Sequence, residues 1–227
     1  MAILLGGALT CVLAVCAVAG LFILKNASTN NQPRDRQVAP ASGRQSSGEA
    51  KGGVPSPQLS LVDVVVDACD AGRPVATKLV PGGREISNDA TATDTESACQ
   101  WGKYAQAKPR ALTVTLRSIQ GGSPMQLAKS QFTQEWSADK TGDTLAAGQT
   151  LRSKKAITGV GEQGYALYFT QTGVGEAIVN VQISNVLITV HYGGESESGG
   201  VMPETQAVDG AVEAVKATIQ TLEKAAQ

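Results

Sequence analysis

YALYFTQTGVGEAIVNVQISNVLITVHY, residues 165–192, decides the fold. Three segments of alternating or apolar character, 165–170, 176–183 and 185–192, read as strands. A tight turn at Ser184-Asn185 separates the last two. If that turn has two residues, Ile183 faces Val186, Val181 faces Ile188, Val179 faces Val190, and Ala177 faces Tyr192. All four pairs are apolar and share one face. The other face receives Asn180, Gln182, Thr189 and His191, with His191 beside Ile178. A slip of one residue would scramble this separation, so the side-chain pattern itself supports the register. Ser-Asn is not the ideal hairpin dipeptide, although Asn tolerates the left-handed conformation.

The pentapeptide TGVGE occurs at 158–162 and again at 172–176. The first copy continues so that Gly159, Gly161 and Gly164 spell G-x-G-x-x-G. A dinucleotide site needs this pattern after a strand and opening a helix, where helix N–H groups meet the pyrophosphate. Here the glycines precede the strand YALYFT, and no helix follows for some distance. Both copies therefore read as turns that feed strands.

Outward from this core, 110–119 (RALTVTLRSI) is a strand with Leu112, Val114 and Leu116 on one side and Thr113, Thr115 and Arg117 on the other. ACQWGKY, 98–104, is another, with Cys99 and Trp101 on the same side. Ser123-Pro124-Met125-Gln126 starts a helix, with Ser at the cap and Pro in the first turn. Met125, Ala128, Phe132 and Trp136 share its apolar face. A last helix follows Met202-Pro203, with Val208, Ala211, Val212, Val215, Ile219 and Leu222 in one stripe. The stretch 59–83 mixes a short aliphatic run with a helix-compatible segment. Gly72 and Pro74 interrupt it, and Pro81-Gly82-Gly83 stops it. The polar residues 84–97 read as a surface loop. Antiparallel hairpins with packed helices make one α+β domain over 59–227.

Ahead of the domain, residues 2–24 carry no charge. As a helix they would extend roughly 34 Å at ~1.5 Å per residue, enough for a ~30 Å hydrocarbon core. The reading is a transmembrane anchor over 1–24. A cleaved signal peptide (Ala17-Val18-Ala19) and a lipidated Cys16 are the rivals. Against cleavage, the apolar run continues through Leu24 and no basic region precedes it; Val15 is a poor residue before a lipidated Cys. A span that begins at residue 2 looks clipped. Residues 25–58, rich in Ser, Gly, Gln, Asn and Pro, form a flexible tether. The flanking Lys25, Arg34, Arg36, Arg44 and Lys51 favour a cytoplasmic C-terminus. Cys69 and Cys99 oppose that. They are the two cysteines outside the span, and a lone pair in a compact domain suggests a disulfide in an oxidising compartment.

A net charge of −1 offers no field to gather nucleic acid, so none is expected as a partner. His191 is the single histidine, so a Ser-His-acid triad would have to use it. Its place in the register makes it a solvent-side strand residue. Gly194-Glu195-Ser196-Glu197-Ser198 falls one residue short of a nucleophile elbow. Glu195, Glu197 and His191 offer ligands that could gather a cation, but they lie in a Gly/Ser loop that reads as mobile. Arg152, Lys154 and Lys155 read as a solvated turn. Asp89, Asp94 and Glu96 lack the spacing of a calcium loop. No catalytic residue, cofactor or metal ligand is assigned.

The series VDAC (66–69), KLVPGG (78–83), CQW (99–101), GVGEQGYA (159–166) and SNVLITVHYGG (184–194), followed by an amphipathic helix, resembles a family of unknown function. Its members are secreted lipoproteins and membrane-anchored proteins of actinobacteria. The resemblance covers 59–227. It implies an extracytoplasmic domain with the cysteines bridged. More distantly, the chain is similar to extracellular sensor domains of mycobacterial receptor kinases, which combine a curved antiparallel sheet with helices. The resulting expectation is a membrane-anchored, extracytoplasmic binding or sensor-like module that is not an enzyme, with the membrane and an envelope ligand or protein as partners. An envelope hydrolase and a cytoplasm-facing tethered scaffold are the alternatives.

Overall fold

The computed structural model describes residues 59–87, 92–103, 108–142 and 144–227. The anchor (1–24) and tether (25–58) read from the sequence lie outside them. Among the described residues, no helix is long and apolar enough to cross a membrane. The elements run α1 (Ala68–Leu79), β1 (Arg84–Ser87), β2 (Glu96–Lys103), β3 (Arg110–Ser118), α2 (Pro124–Asp139), β4 (Thr150–Ile157), β5 (Gln163–Gln171), β6 (Val174–Ile183), β7 (Val186–Gly194) and α3 (Glu204–Ala225). The strands form one antiparallel sheet in the order β1-β2-β3-β7-β6-β5-β4. The fold is α+β, as expected.

The β6–β7 register pairs Ile183 with Val186, Val181 with Ile188, Val179 with Val190, and Ala177 with Tyr192. These side chains join Leu112, Val114 and Leu116 of β3 in the main core, under α1 and α3. The opposite face of the sheet carries α2. There Ala128 and Phe132 pack with Tyr165, Leu167 and Leu187, and Trp136 is half-buried beside them. Met125, expected on the same stripe, is exposed, because it sits in the first turn of α2. Ser123 occupies the cap position, but its side chain makes no capping bond.

Three regions depart from the sequence reading. Residues 84–97 are not wholly a loop: β1 pairs with β2 from Arg84 to Ser87. Arg152, Lys154 and Lys155 belong to β4, the other edge of the sheet. An edge strand pairs on one side only, and charged side chains suit its exposure, so neither segment shows a strong apolar alternation. Third, Gly72 and Pro74 do not interrupt α1. Gly72 is there for close approach, since a Cβ would fall within the Trp101 ring. Gly210 of α3 meets the Tyr192 ring in the same way. Two aromatic side chains of the sheet thus set the heights of both helices.

The β6–β7 turn is a bracket for distant chain. Ser184, not Asn185, takes the left-handed conformation, with φ of 52°. Asn185 is buried instead. Its Oδ1 accepts from Val62 N at 2.9 Å, and its Nδ2 donates to Val62 O at 2.9 Å and Ile119 O at 3.1 Å. One amide side chain thereby holds the entry to the domain against the end of β3. Buried amides are stable only when so satisfied.

Cys69 and Cys99 form a disulfide. Asp67 Oδ1 caps α1 by accepting from Cys69 N at 2.6 Å. The bridge ties the first turn of α1 to β2. Beside it, Arg73 donates from Nε and Nη2 to both oxygens of Glu85, each at 3.1 Å, and Trp101 Nε1 donates to Glu85 at 3.1 Å. The Arg73 guanidinium holds the Glu85 carboxyl below the ordinary carboxylate range, and the Trp101 bond adds to this against the opposing effect of burial. These contacts fasten the short β1 to the helix layer.

Closing a loop across a sequence separation of 30 removes about 3–4 kcal/mol of unfolded-state entropy. Cys99→Ser, or reduction of the native protein, is expected to lower the unfolding free energy by that amount, read by urea titration. Coincident midpoints for oxidised, reduced and Cys99→Ser protein would show that the bridge lends no stability.

Tyr165 is buried and donates to Asp139 Oδ2 at 2.7 Å. Burial, then the neighbouring Asp139 carboxylate, raises its pKa well above the phenol range. A raised folded-state value means that the stabilisation is complete below the unfolded phenol value, near ~10, and is lost as pH rises through the folded value. Stability should therefore fall with pH above about 10, with a shallower fall in Tyr165→Phe. Equal slopes for the two proteins would remove Tyr165 from the alkaline transition.

Candidate functional site

The chemistry-bearing residues singled out from the sequence gather where β7 runs into residues 195–200. Strand alternation separates them. His191 points to the α2 side of the sheet, while Tyr192 points into the main core. His191 Nδ1 lies 2.9 Å from Glu176 Oε1 on β6, and both side chains are half-buried. The solvent-side reading of His191 is thus correct in face but incomplete, because it has an acidic partner.

The loop beyond β7 is pinned at its base. Glu195 pairs with Val201, Glu195 N donates to Pro109 O at 2.9 Å, and Met202 N donates to Gly194 O at 3.3 Å. Its tip folds on itself. Ser196 Oγ donates to Gly199 O at 2.6 Å and lies 3.1 Å from Ser198 Oγ, and Ser196 N donates to Gly200 O at 2.8 Å. The serines find their partners within the tip, and His191 finds its partner on β6. No hydrogen bond among the described residues joins a serine to the histidine.

A second pair in this region involves Arg110, the first residue of β3, which stands opposite Gly194. Its phase along the strand is that of Leu112, Val114 and Leu116, so it points toward the helix layer. It is 8% exposed. Its Nη2 lies 3.5 Å from Glu197 Oε1, and the Glu197 side chain is 81% exposed. Tyr192 lies nearby, donating its hydroxyl to Leu79 O at 3.0 Å. Burial raises the Tyr192 pKa, and the Arg110 charge partly offsets this. Sequence reasoning placed Tyr192 on the apolar face, where it lies, but gave no role to Arg110 or Glu176. The signal for Arg110 was present: a cation in the apolar phase of the clearest strand.

The other candidates are structural. Gly159 and Gly161 have positive φ, of 77° and 62°, and a Cβ on Gly161 would strike Val181 and Gln182. The loop they form closes over the β6–β7 turn. Glu162 Oε1 accepts from Ser184 N at 2.9 Å, and Gln182 Nε2 donates to Ser184 O at 2.6 Å. A recess of about 250 Å³ between this loop and α3 is lined by Val160, Ile183, Ile219 and Lys216 among others. In the second TGVGE, Thr172 and Gly173 turn the chain from β5 into β6. Asp89 lies outside the described residues. Asp94 uses its backbone carbonyl to accept from Val65 N, and Glu96 begins β2. Cys69, Glu85 and Cys99 hold three donor atoms within 4.8 Å, but the disulfide occupies both sulfurs. No protein-family model matches the chain, and no curated protein is significantly similar to it.

The His191–Glu176 pair is half-exposed, and such pairs contribute little. His191→Ala is expected to change the unfolding free energy by no more than about 1 kcal/mol. A loss several times larger in urea titration would show that this pair supports the second face of the sheet.

Proposed function

We propose that the chain is a membrane-anchored, extracytoplasmic binding or sensor-like module of the cell envelope, without catalytic activity of its own. The observation that carries this reading is the disulfide between α1 and β2, whose cysteines are buried, at 3% and 1% exposure. Such bridges persist in oxidising compartments and are rare where thiols are kept reduced. The uncharged stretch 2–24 supplies the anchor and 25–58 the tether in this reading. Kinship with the actinobacterial family named above belongs to the same proposal. The non-catalytic part is supported by the separate hydrogen-bond sets of His191 and Ser196.

The test is topology in cells. With the domain outside, Cys69 and Cys99 should be unreactive to a membrane-impermeant thiol reagent and become reactive when intact cells are treated with reductant. Labelling of both thiols without reductant, and only after lysis, would place the domain inside and favour the tethered scaffold.

A further inference from the structure

We infer that Arg110 is the seat for a carboxylate-bearing small ligand, and that Glu197 occupies this seat in the ligand-free protein. The inference rests on the reading of the chain as a binding module and supplies the ligand class that reading leaves open.

A guanidinium presents five N–H donors in a planar fork, and its preferred partner is a carboxylate held by two parallel bonds near ~2.8 Å. Arg110 has a single ion pair among the described residues, at 3.5 Å and through Nη2 alone. Elsewhere in this chain the fork is used fully: Arg73 grips both oxygens of Glu85, at 3.1 Å each. The Tyr192 hydroxyl also accepts from this guanidinium, but a buried cation whose one carboxylate partner among the described residues stands this far off carries a desolvation cost that a better-placed anion would relieve. Arg110 is the buried one of the pair, with 9% of its side chain exposed, whereas Glu197 is 81% exposed. The guanidinium is therefore reached from solvent along the path that the Glu197 side chain takes.

The occupant is removable. Glu197 stands at a tip closed by the Ser196 bonds to Gly199 and Gly200, and Gly199 and Gly200 have φ of 87° and 80°. Exposure leaves its carboxylate fully hydrated when it swings away, so leaving costs little. Arg110 lacks this freedom. Its backbone is held by the ladder on both sides of β3 and its side chain is buried. A buried cation on a paired strand facing an exposed anion at a loop tip is the arrangement in which an external carboxylate competes with an internal one. The internal carboxylate lowers apparent affinity by the fraction of time it holds the seat.

The experiment is a calorimetric titration of the full chain in detergent with succinate, alongside inorganic phosphate, for wild type, Glu197→Gln and Arg110→Gln. Succinate should bind wild type. Glu197→Gln should bind it at least about threefold more tightly, because the competitor is gone. Arg110→Gln should lose binding by about tenfold or more. Glu197→Gln decides the matter even if Arg110→Gln does not fold, since residue 197 is exposed. Succinate affinity unchanged by Glu197→Gln, or no succinate binding to either protein, overturns the seat. Phosphate binding as tight as succinate overturns the ligand class. Either failure leaves the topology result, and so the proposed compartment, standing on its own.

Discussion

The alternation of β6 and β7 is the constraint on which everything else depends. Side chains on a strand change face at each residue, so one register sends Val179, Val181, Val190 and Ile188 under the helices. The adjacent register would send Asn180, Gln182 and Thr189 there instead. Both strands lie inside the sheet, and β3 and β5 inherit their register from them. Helices α1 and α3 then have one apolar surface to cover, and α2 covers part of the other. The buried Asn185 fixes the end of this hairpin and the entry of the chain in a single contact set.

Helix placement follows from this sheet. Trp101 and Tyr192 stand up from β2 and β7, and glycines in α1 and α3 accommodate their rings. The disulfide then secures α1 at its first turn, where Ser97 Oγ accepts from Ala68 N and Asp67 Oδ1 from Cys69 N. Packing, capping and a covalent link converge on the same corner, next to the short edge strand β1. The Arg73–Glu85–Trp101 cluster extends that corner to the surface.

The central hairpin, β3, α2 and α3 were legible from the chain, because each carries its period in its own side chains. Ile183 opposite Val186 and the stripe from Val208 to Leu222 are examples. The edges β1 and β4 were not, since REIS and TLRSKKAI owe their conformation to a neighbouring strand and show little alternation of their own. Continuity of α1 through Gly72 and Pro74 was also hidden, because the reason for Gly72 is the Trp101 ring on another element. At the candidate site, His191 and the loop serines stood out by residue type. Their actual partners depend on which strand lies beside which, and only the fold reveals that Glu176 rather than a serine faces the histidine. Arg110 was legible in principle as a charge in an apolar phase.

The edge strand β4 has a bearing on how densely this protein can be crowded. A seven-stranded open sheet ends in unpaired backbone groups, and two such edges on neighbouring copies are templates for each other. Along β4 the chain sets Arg152, Lys154 and Lys155, and a register shift lies between Leu151 and Ser153. Lys155 is paired with Glu204, so two copies approaching edge to edge would bring Arg152 and Lys154 of each together, along two irregular ladders that do not mesh. Copies confined to a plane, as a shared surface would confine them, meet far more often than in free solution. Charge and irregularity along that edge oppose its use as a template for a second sheet.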